Sequence, residues 1–167
     1  MDQIETWSTP TDEILIRRGV IGDVPFVTNS WLTSFRKSAY TWGVGNSEYN
    51  AFHHKLLEAL VPQSMLVVLC NRNNPDQILG WAVYQKLEGD VLVLHYVYIK
   101  FAFRRNGFAR CLVDEIMDHE RPRAVIWTHR TEIGAKIQKN LPELSSWRLN
   151  PYLMYTLAAS YKPNWAL

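Results

Sequence analysis

A chain of 167 residues, 47% hydrophobic and 20% charged, is most simply one domain large enough for a hydrophobic core, and this usage excludes a disordered chain. Its net charge of +2 is too small for bulk binding to nucleic acid or a membrane surface, so any positive field must be local. The start, Met1-Asp2-Gln3-Ile4-Glu5, lacks a basic n-region and an apolar h-region, and the longest fully apolar run, Met65 to Cys70, is too short to cross a bilayer; the expected compartment is the cytoplasm.

Ile14 to Arg18 reads as a short strand. Gly22-Asp23-Val24-Pro25 then opens a helix to about Lys37, with Asp23 as cap and proline in the first turn. A loop with Gly43 and Gly45 leads to a second helix, capped by Asn46 or Ser47 and running to about Leu60 before Pro62. Met65 to Cys70 is a strand, Asn71 to Asp76 a turn, and Ile78 to Leu87 the next strand. Glu88-Gly89-Asp90 joins it to Val91–Ile99, which is apolar on both faces apart from His95 and two tyrosines, as in a central strand. A third helix follows residue 107, with Phe108, Cys111, Leu112 and Ile116 on one side and Arg110, Asp114, Glu115 and Asp118 on the other. Ala124 to Thr128 is a short buried strand, Thr131 to Lys139 a fourth helix, and Trp147 to Leu157 alternates weakly, as one or two last strands would.

Cys70 and Cys111 both fall on apolar positions and read as buried free thiols. The adjacent His53 and His54 point roughly 100° apart on a helix and cannot chelate one metal, so no metal is expected.

The informative segment is Arg104-Arg105-Asn106-Gly107-Phe108-Ala109, where the central strand hands over to the third helix. A basic, glycine-containing turn here aims unpaired backbone N–H groups and the positive helix end outward, an arrangement that binds phosphate. Read alone, the turn also suits an arginine-rich helix start that binds nucleic acid, or solvated arginines on an ordinary connection.

The spacing Arg104-x-x-Gly107-x-Ala109 resembles the Q/R-x-x-G-x-G/A signature of the GNAT superfamily of acyl-CoA N-acyltransferases. The element order β-α-α-β-β-β-α-β-α-β resembles that α/β fold, a mixed sheet flanked by helices, over a single domain of residues 14–167 with residues 1–13 as an N-terminal extension. The resemblance implies acetyl-CoA as co-substrate and an amine of a small molecule or protein as acceptor, joined in a ternary complex. It implies that pantetheine adds as an extra strand to backbone groups of Val97 and Ile99, and that Arg104, Arg105, Asn106, Gly107, Phe108 and Ala109 hold the pyrophosphate.

Three family features are missing. Phe101 stands where many members have proline, Val93 where many have a glutamate base, and no tyrosine lies near Gln138 and Lys139 to protonate the leaving thiolate. His95, which strand alternation would put on the same face as Val97, is the candidate base, with a core histidine as its other reading. Tyr152 and Tyr155 are candidate acids, Tyr155 the preferred one. Trp31, Phe35, Tyr40, Trp42, Tyr49 and Glu48 fall on the expected acceptor wall, where aromatics suit an apolar or planar acceptor, the core, or a homodimer patch. The competing functions are a GNAT-fold protein that binds a protein partner and a nucleic-acid binder using Arg104, Arg105, Arg110, Arg121 and Arg123, the latter opposed by the small net charge.

Overall fold

The computed structural model describes residues 4–163; residues 1–3 and 164–167, including the last four of the expected domain, lie outside it. Seven strands form one sheet in chain order: β1 (Thr6–Ser8), β2 (Ile14–Arg18), β3 (Met65–Asn71), β4 (Asn74–Leu87), β5 (Val91–Ile99), β6 (Ala124–Trp127) and β7 (Arg148–Leu149). Pairing is antiparallel from β1 through β5 and parallel from β5 through β7. Each parallel step is crossed by a helix, α3 (Phe108–Glu120) before β6 and α4 (Glu132–Asn140) before β7. With α1 (Val24–Phe35) and α2 (Asn46–Leu60), the order from β2 to β7 is the one expected from periodicity.

Two faces of the sheet carry two cores. Leu112 and Ile116 of α3 pack with Ile16, Leu69, Ala82, Leu92 and Leu94 on one. Val27, Trp31 and Phe35 of α1 and Leu57 of α2 pack with Val68, Trp81 and Tyr96 on the other. The apolar runs of β3, β4 and β5 are needed because both faces of these strands are covered.

The N-terminal extension joins the sheet: β1 pairs with β2, and its Trp7 stacks on His119 of α3 with ring centres 4.0 Å apart. Four expectations are corrected. The tail is mainly helical: after the two-residue β7, α5 (Tyr152–Ser160) forms, because Met154, Leu157 and Ala158 recur at helical spacing and close on Leu56 and Leu60 of α2. Asp23 stands at the N-cap of α1 but makes no cap bond there. Its carboxylate instead accepts two bonds from the buried Arg17 guanidinium, at 2.8 and 3.0 Å, and one from Val20 N–H at 2.8 Å, because a buried arginine must be paired. Gly45, not Asn46 or Ser47, occupies the N-cap of α2.

The fourth correction concerns β5. Val83 pairs with Tyr96 and Tyr84 with Leu94, so His95 is an extra residue in the strand, a β-bulge. Leu94 and Val97, three residues apart, therefore pack in the same core, whereas Tyr96 packs in the other. The alternation that would have put His95 beside Val97 is broken at His95 itself.

Candidate functional site

β5 and β6 pair only as far as Leu94 and Trp127, with one last bond from Thr128 N–H to Leu94 O at 3.2 Å. β4 keeps pairing with β5 to Ile99. The β6-side edge of residues 95–99 is consequently open. Lys100 N–H donates to Leu79 O at 2.9 Å, so the even-numbered residues at this end face β4. By alternation Val97 and Ile99 direct their backbone groups into the opening. The Ile99 carbonyl already accepts a bond from Arg104 Nε at 2.9 Å, which leaves the terminal nitrogens of that guanidinium for other partners.

The opening ends at the turn before α3. Gly107 is the N-cap residue at φ 75°, Arg105 stands at φ 65°, and no side chain caps the helix. The left-handed backbone at Gly107 is what a residue without Cβ tolerates. A Cβ placed there would meet nothing within 4 Å, so the space over the turn is free. The first helical N–H groups, of Phe108, Ala109 and Arg110, have no protein partner among the described residues; the next, of Cys111, donates to Gly107 O at 3.0 Å. Phe108 and Ala109 turn their side chains into the core. Asn106 donates from Nδ2 to Phe103 O at 3.2 Å and braces the turn against the short 3-10 segment Phe101–Phe103 that follows β5. Exposed Arg104 and Arg105 add positive charge beside the uncapped helix end. These residues fit a pyrophosphate: donors, cationic side chains and room lie together.

On the α2 and α5 side of the opening lies a cavity of about 490 Å³, lined by Phe35, Tyr40, Tyr49, Phe52 and Tyr155 among others. Of the expected acceptor wall, Phe35, Tyr40, Glu48 and Tyr49 line it. Trp31 is core, and Trp42 is 90% exposed and not part of the lining. Tyr49 is committed to structure, since its hydroxyl donates to Leu32 O at 2.8 Å. Tyr152 and Tyr155 both reach the lining from α5, and Tyr155 packs on Phe52 with ring centres 6.0 Å apart.

His95 is only 1% exposed and does not reach the cavity directly. Its Nδ1 lies 2.7 Å from Thr128 Oγ1, which lies 2.9 Å from His129 Nδ1; His129 Nε2 in turn lies 3.0 Å from His53 Nε2. Thr128, His129 and His53 line the cavity. Burial pushes His53 and His95 down to about 4, and burial, with the neighbouring His53 and His95, holds His129 well below its ordinary value. All three imidazoles are therefore neutral at physiological pH. Among the described residues no group of three or more His, Cys, Asp or Glu side chains is placed to hold a metal ion.

Neither His53 nor His129 was singled out for chemistry in the sequence. One signal was available: Thr128-His129-Arg130 is a polar run at the C-terminal end of a buried parallel strand, the end at which open α/β sheets place ligands. His53 carried no such signal, and only the packing of α2 brings it to His129.

A profile of the Acetyltransferase (GNAT) family matches residues 27–135. Solved structures with TM-scores above 0.5 repeat the fold. A ribosomal-protein-alanine N-acetyltransferase from Brucella melitensis is 20% identical over 77% of this chain and 82% of its own, with a TM-score of 0.52. PaiA N-acetyltransferase from Thermoplasma acidophilum, in complex with coenzyme A, is 14% identical over 76% and 87%, with a TM-score of 0.56. An acetyltransferase of the GNAT family from Staphylococcus aureus is 11% identical over 65% of this chain and 66% of that one, with a TM-score of 0.46, so the chain spans just under two thirds of its length. No curated protein matches the sequence. The chain belongs to the GNAT acetyltransferase family.

Proposed function

We propose that this protein is an acetyl-CoA-dependent N-acetyltransferase, with one catalytic domain over residues 14–167, in which the amine attacks the thioester directly in a ternary complex. The observation that carries the reading is the continuity of three features. An opened β5 edge ends at an uncapped, basic helix start, and an aromatic cavity lies beside it. Pantetheine would lie along Val97 and Ile99 as an added strand. The pyrophosphate would sit on the N–H groups at Phe108 and Ala109 over Gly107, with Asn106 holding the turn and Arg104 and Arg105 supplying charge. Coenzyme A bound to the Thermoplasma acidophilum relative supports this choice of co-substrate.

The acceptor is an amine, free or on a protein, whose apolar or planar body fits between Phe35, Tyr40 and Phe52. The reaction needs the cofactor held beside the amine, the nitrogen relieved of a proton and the leaving thiolate protonated. Tyr155, 42% exposed on the lining, is the proposed proton donor to the thiolate. His95 is the proposed proton-accepting imidazole of the central strand; sealed from the cavity, it acts through Thr128 and is a positioning residue. The free thiols of Cys70 and Cys111 suit the reducing cytoplasm.

The test is calorimetry with acetyl-CoA, coenzyme A and an oligonucleotide, followed by free-thiol release over a panel of amines. Binding of acetyl-CoA with turnover of at least one arylalkyl amine is expected. Binding without turnover of any amine would favour the partner-binding alternative, which the buried Val93 at the usual carboxylate position motivates. Binding of the oligonucleotide alone would sink both.

A further inference from the structure

Three imidazoles and one hydroxyl form a continuous hydrogen-bonded chain from the cavity into the sheet. His53 on α2 meets His129 after β6, His129 meets Thr128, and Thr128 meets His95 in the bulge of β5, at 3.0, 2.9 and 2.7 Å. We infer that His53 takes the proton of the attacking amine at Nδ1, and that His129, Thr128 and His95 relay it inward as a proton wire. This rests on the acetyltransferase reading above.

Each link holds one proton, because a neutral imidazole has one N–H and one lone pair and a hydroxyl donates once. The chain therefore has two internally consistent orders. In the first, His53 Nε2–H donates to His129, His129 Nδ1–H to Thr128, and the Thr128 hydroxyl to His95 Nδ1. This order leaves a lone pair on His53 Nδ1, an atom with no hydrogen-bond partner among the described residues on a side chain that lines the cavity. In the second order every donor is reversed. A proton that enters at His53 Nδ1 converts the first into the second, and the charge passes to His95 while the chain is loaded. Three N–H or O–H bonds break and three form, one pair at each step, and the three hydrogen-bonded contacts persist with donor and acceptor exchanged.

The two ends differ. His95 Nε2 is sealed and has no partner, so the inner end holds a proton only transiently. Keeping an imidazole there costs stability that an apolar residue would not. Burial keeps the whole chain uncharged between turnovers.

The surroundings leave the wire without a competing acid or base. α1 presents only the rings of Trp31 and Phe35 to His129. The ionisable groups near the chain are Glu48 and Tyr49 on α2, Tyr96 on β5, Arg130 after β6, and Tyr40, Tyr152 and Tyr155 around the cavity. Among the described residues none of them hydrogen-bonds a chain imidazole.

The balance closes on these residues. The amine nitrogen bonds to the thioester carbon and becomes cationic, hence acidic, and yields one proton to His53. The C–S bond breaks and the thiolate takes a proton from Tyr155. The proton held on the chain returns through His53 to the Tyr155 phenolate across the cavity that both residues line. The products are the amide and the free thiol, with the chain restored.

The test compares His53→Gln, Thr128→Val and Thr128→Ser with the wild type, using the amine that gives the fastest thiol release. His53→Gln is expected to lower kcat by about 10²–10⁴-fold with acetyl-CoA affinity unchanged. Thr128→Val, which keeps the shape and removes the hydroxyl, is expected to lower kcat at least about tenfold without raising KM in proportion, and Thr128→Ser to recover most of the loss. A second arm needs no acceptor: ¹⁵N spectra of the histidine rings, in which Thr128→Val should shift the nitrogens of His53, two links away. Thr128→Val at the wild-type rate, or an unchanged His53 spectrum in that variant, overturns the wire. So does His53→Gln at the wild-type rate, with His53→Asn in its place if the glutamine variant does not fold. A wild type that neither binds acetyl-CoA nor releases thiol with any amine overturns the acetyltransferase reading instead, and the spectra still decide the chain.

Discussion

His53 and His129 are 76 positions apart, and their Nε2 atoms meet at 3.0 Å in the floor of the aromatic cavity. The contact joins the helical layer to the C-terminal end of β6, so a proton accepted from the cavity side enters the sheet through two neutral rings. It also ties conformational stability to pH.

Stability should fall as the medium is acidified from neutrality. His53 and His95 have folded values of about 4, and His129 also lies well below 6.5, whereas each titrates near 6.5 when unfolded. Their lowered values make the contribution full above about pH 6.5, and it is lost as pH falls toward about 4, because in that window the unfolded chain binds protons that the folded chain refuses. With all three titrating only in the unfolded state the slope approaches about 4 kcal/mol per pH unit. Urea midpoints between pH 7 and 4.5 measure it. A midpoint that stays flat from pH 7 to 5 would show that the imidazoles protonate in place, and His95→Gln should remove about a third of the slope.

Gly107→Glu should abolish binding of acetyl-CoA. The position requires φ near 75° and faces open space at an uncapped helix start, so the substitution adds backbone strain and puts a carboxylate where the phosphates would lie. Calorimetry on the folded variant is the measurement, and wild-type affinity there would remove the turn from the cofactor site.

The two arginines of the turn should behave differently. Arg105 has an exposed side chain, and Arg105→Ala should weaken coenzyme A by about tenfold while sparing a pantetheine thioester without phosphates. Arg104 also holds Ile99 O at 2.9 Å, so Arg104→Ala should weaken both ligands by loosening the end of β5. Equal losses of both ligands in both variants would contradict this division.

Tyr155→Phe should lower kcat about 10-fold to 10³-fold with acetyl-CoA affinity kept, since it removes only the hydroxyl proposed to protonate the thiolate. Its packing on Phe52 is retained. An acyl donor whose leaving thiol is more acidic should recover much of the loss, because it needs less help to depart. No such recovery would assign the tyrosine to acceptor binding.

Local chemistry in the sequence determined the elements and the phosphate turn. A largely apolar run over Val91–Ile99, helical periodicity after Phe108, and a glycine with two arginines between them are short-range patterns, read from neighbouring residues alone. The tertiary structure decided the rest, because the deciding contacts join distant segments. Whether residues 152–160 became strand or helix depended on the apolar stripe offered by Leu56 and Leu60, nearly a hundred positions away. The face taken by His95 depended on a bulge set by pairing with β4, which no residue type announces. The imidazole chain depended on the packing of α2 against the end of β6: hydrogen bonds between side chains follow distance in space, and the sequence holds His53 on α2, His95 on β5 and His129 in the segment after β6.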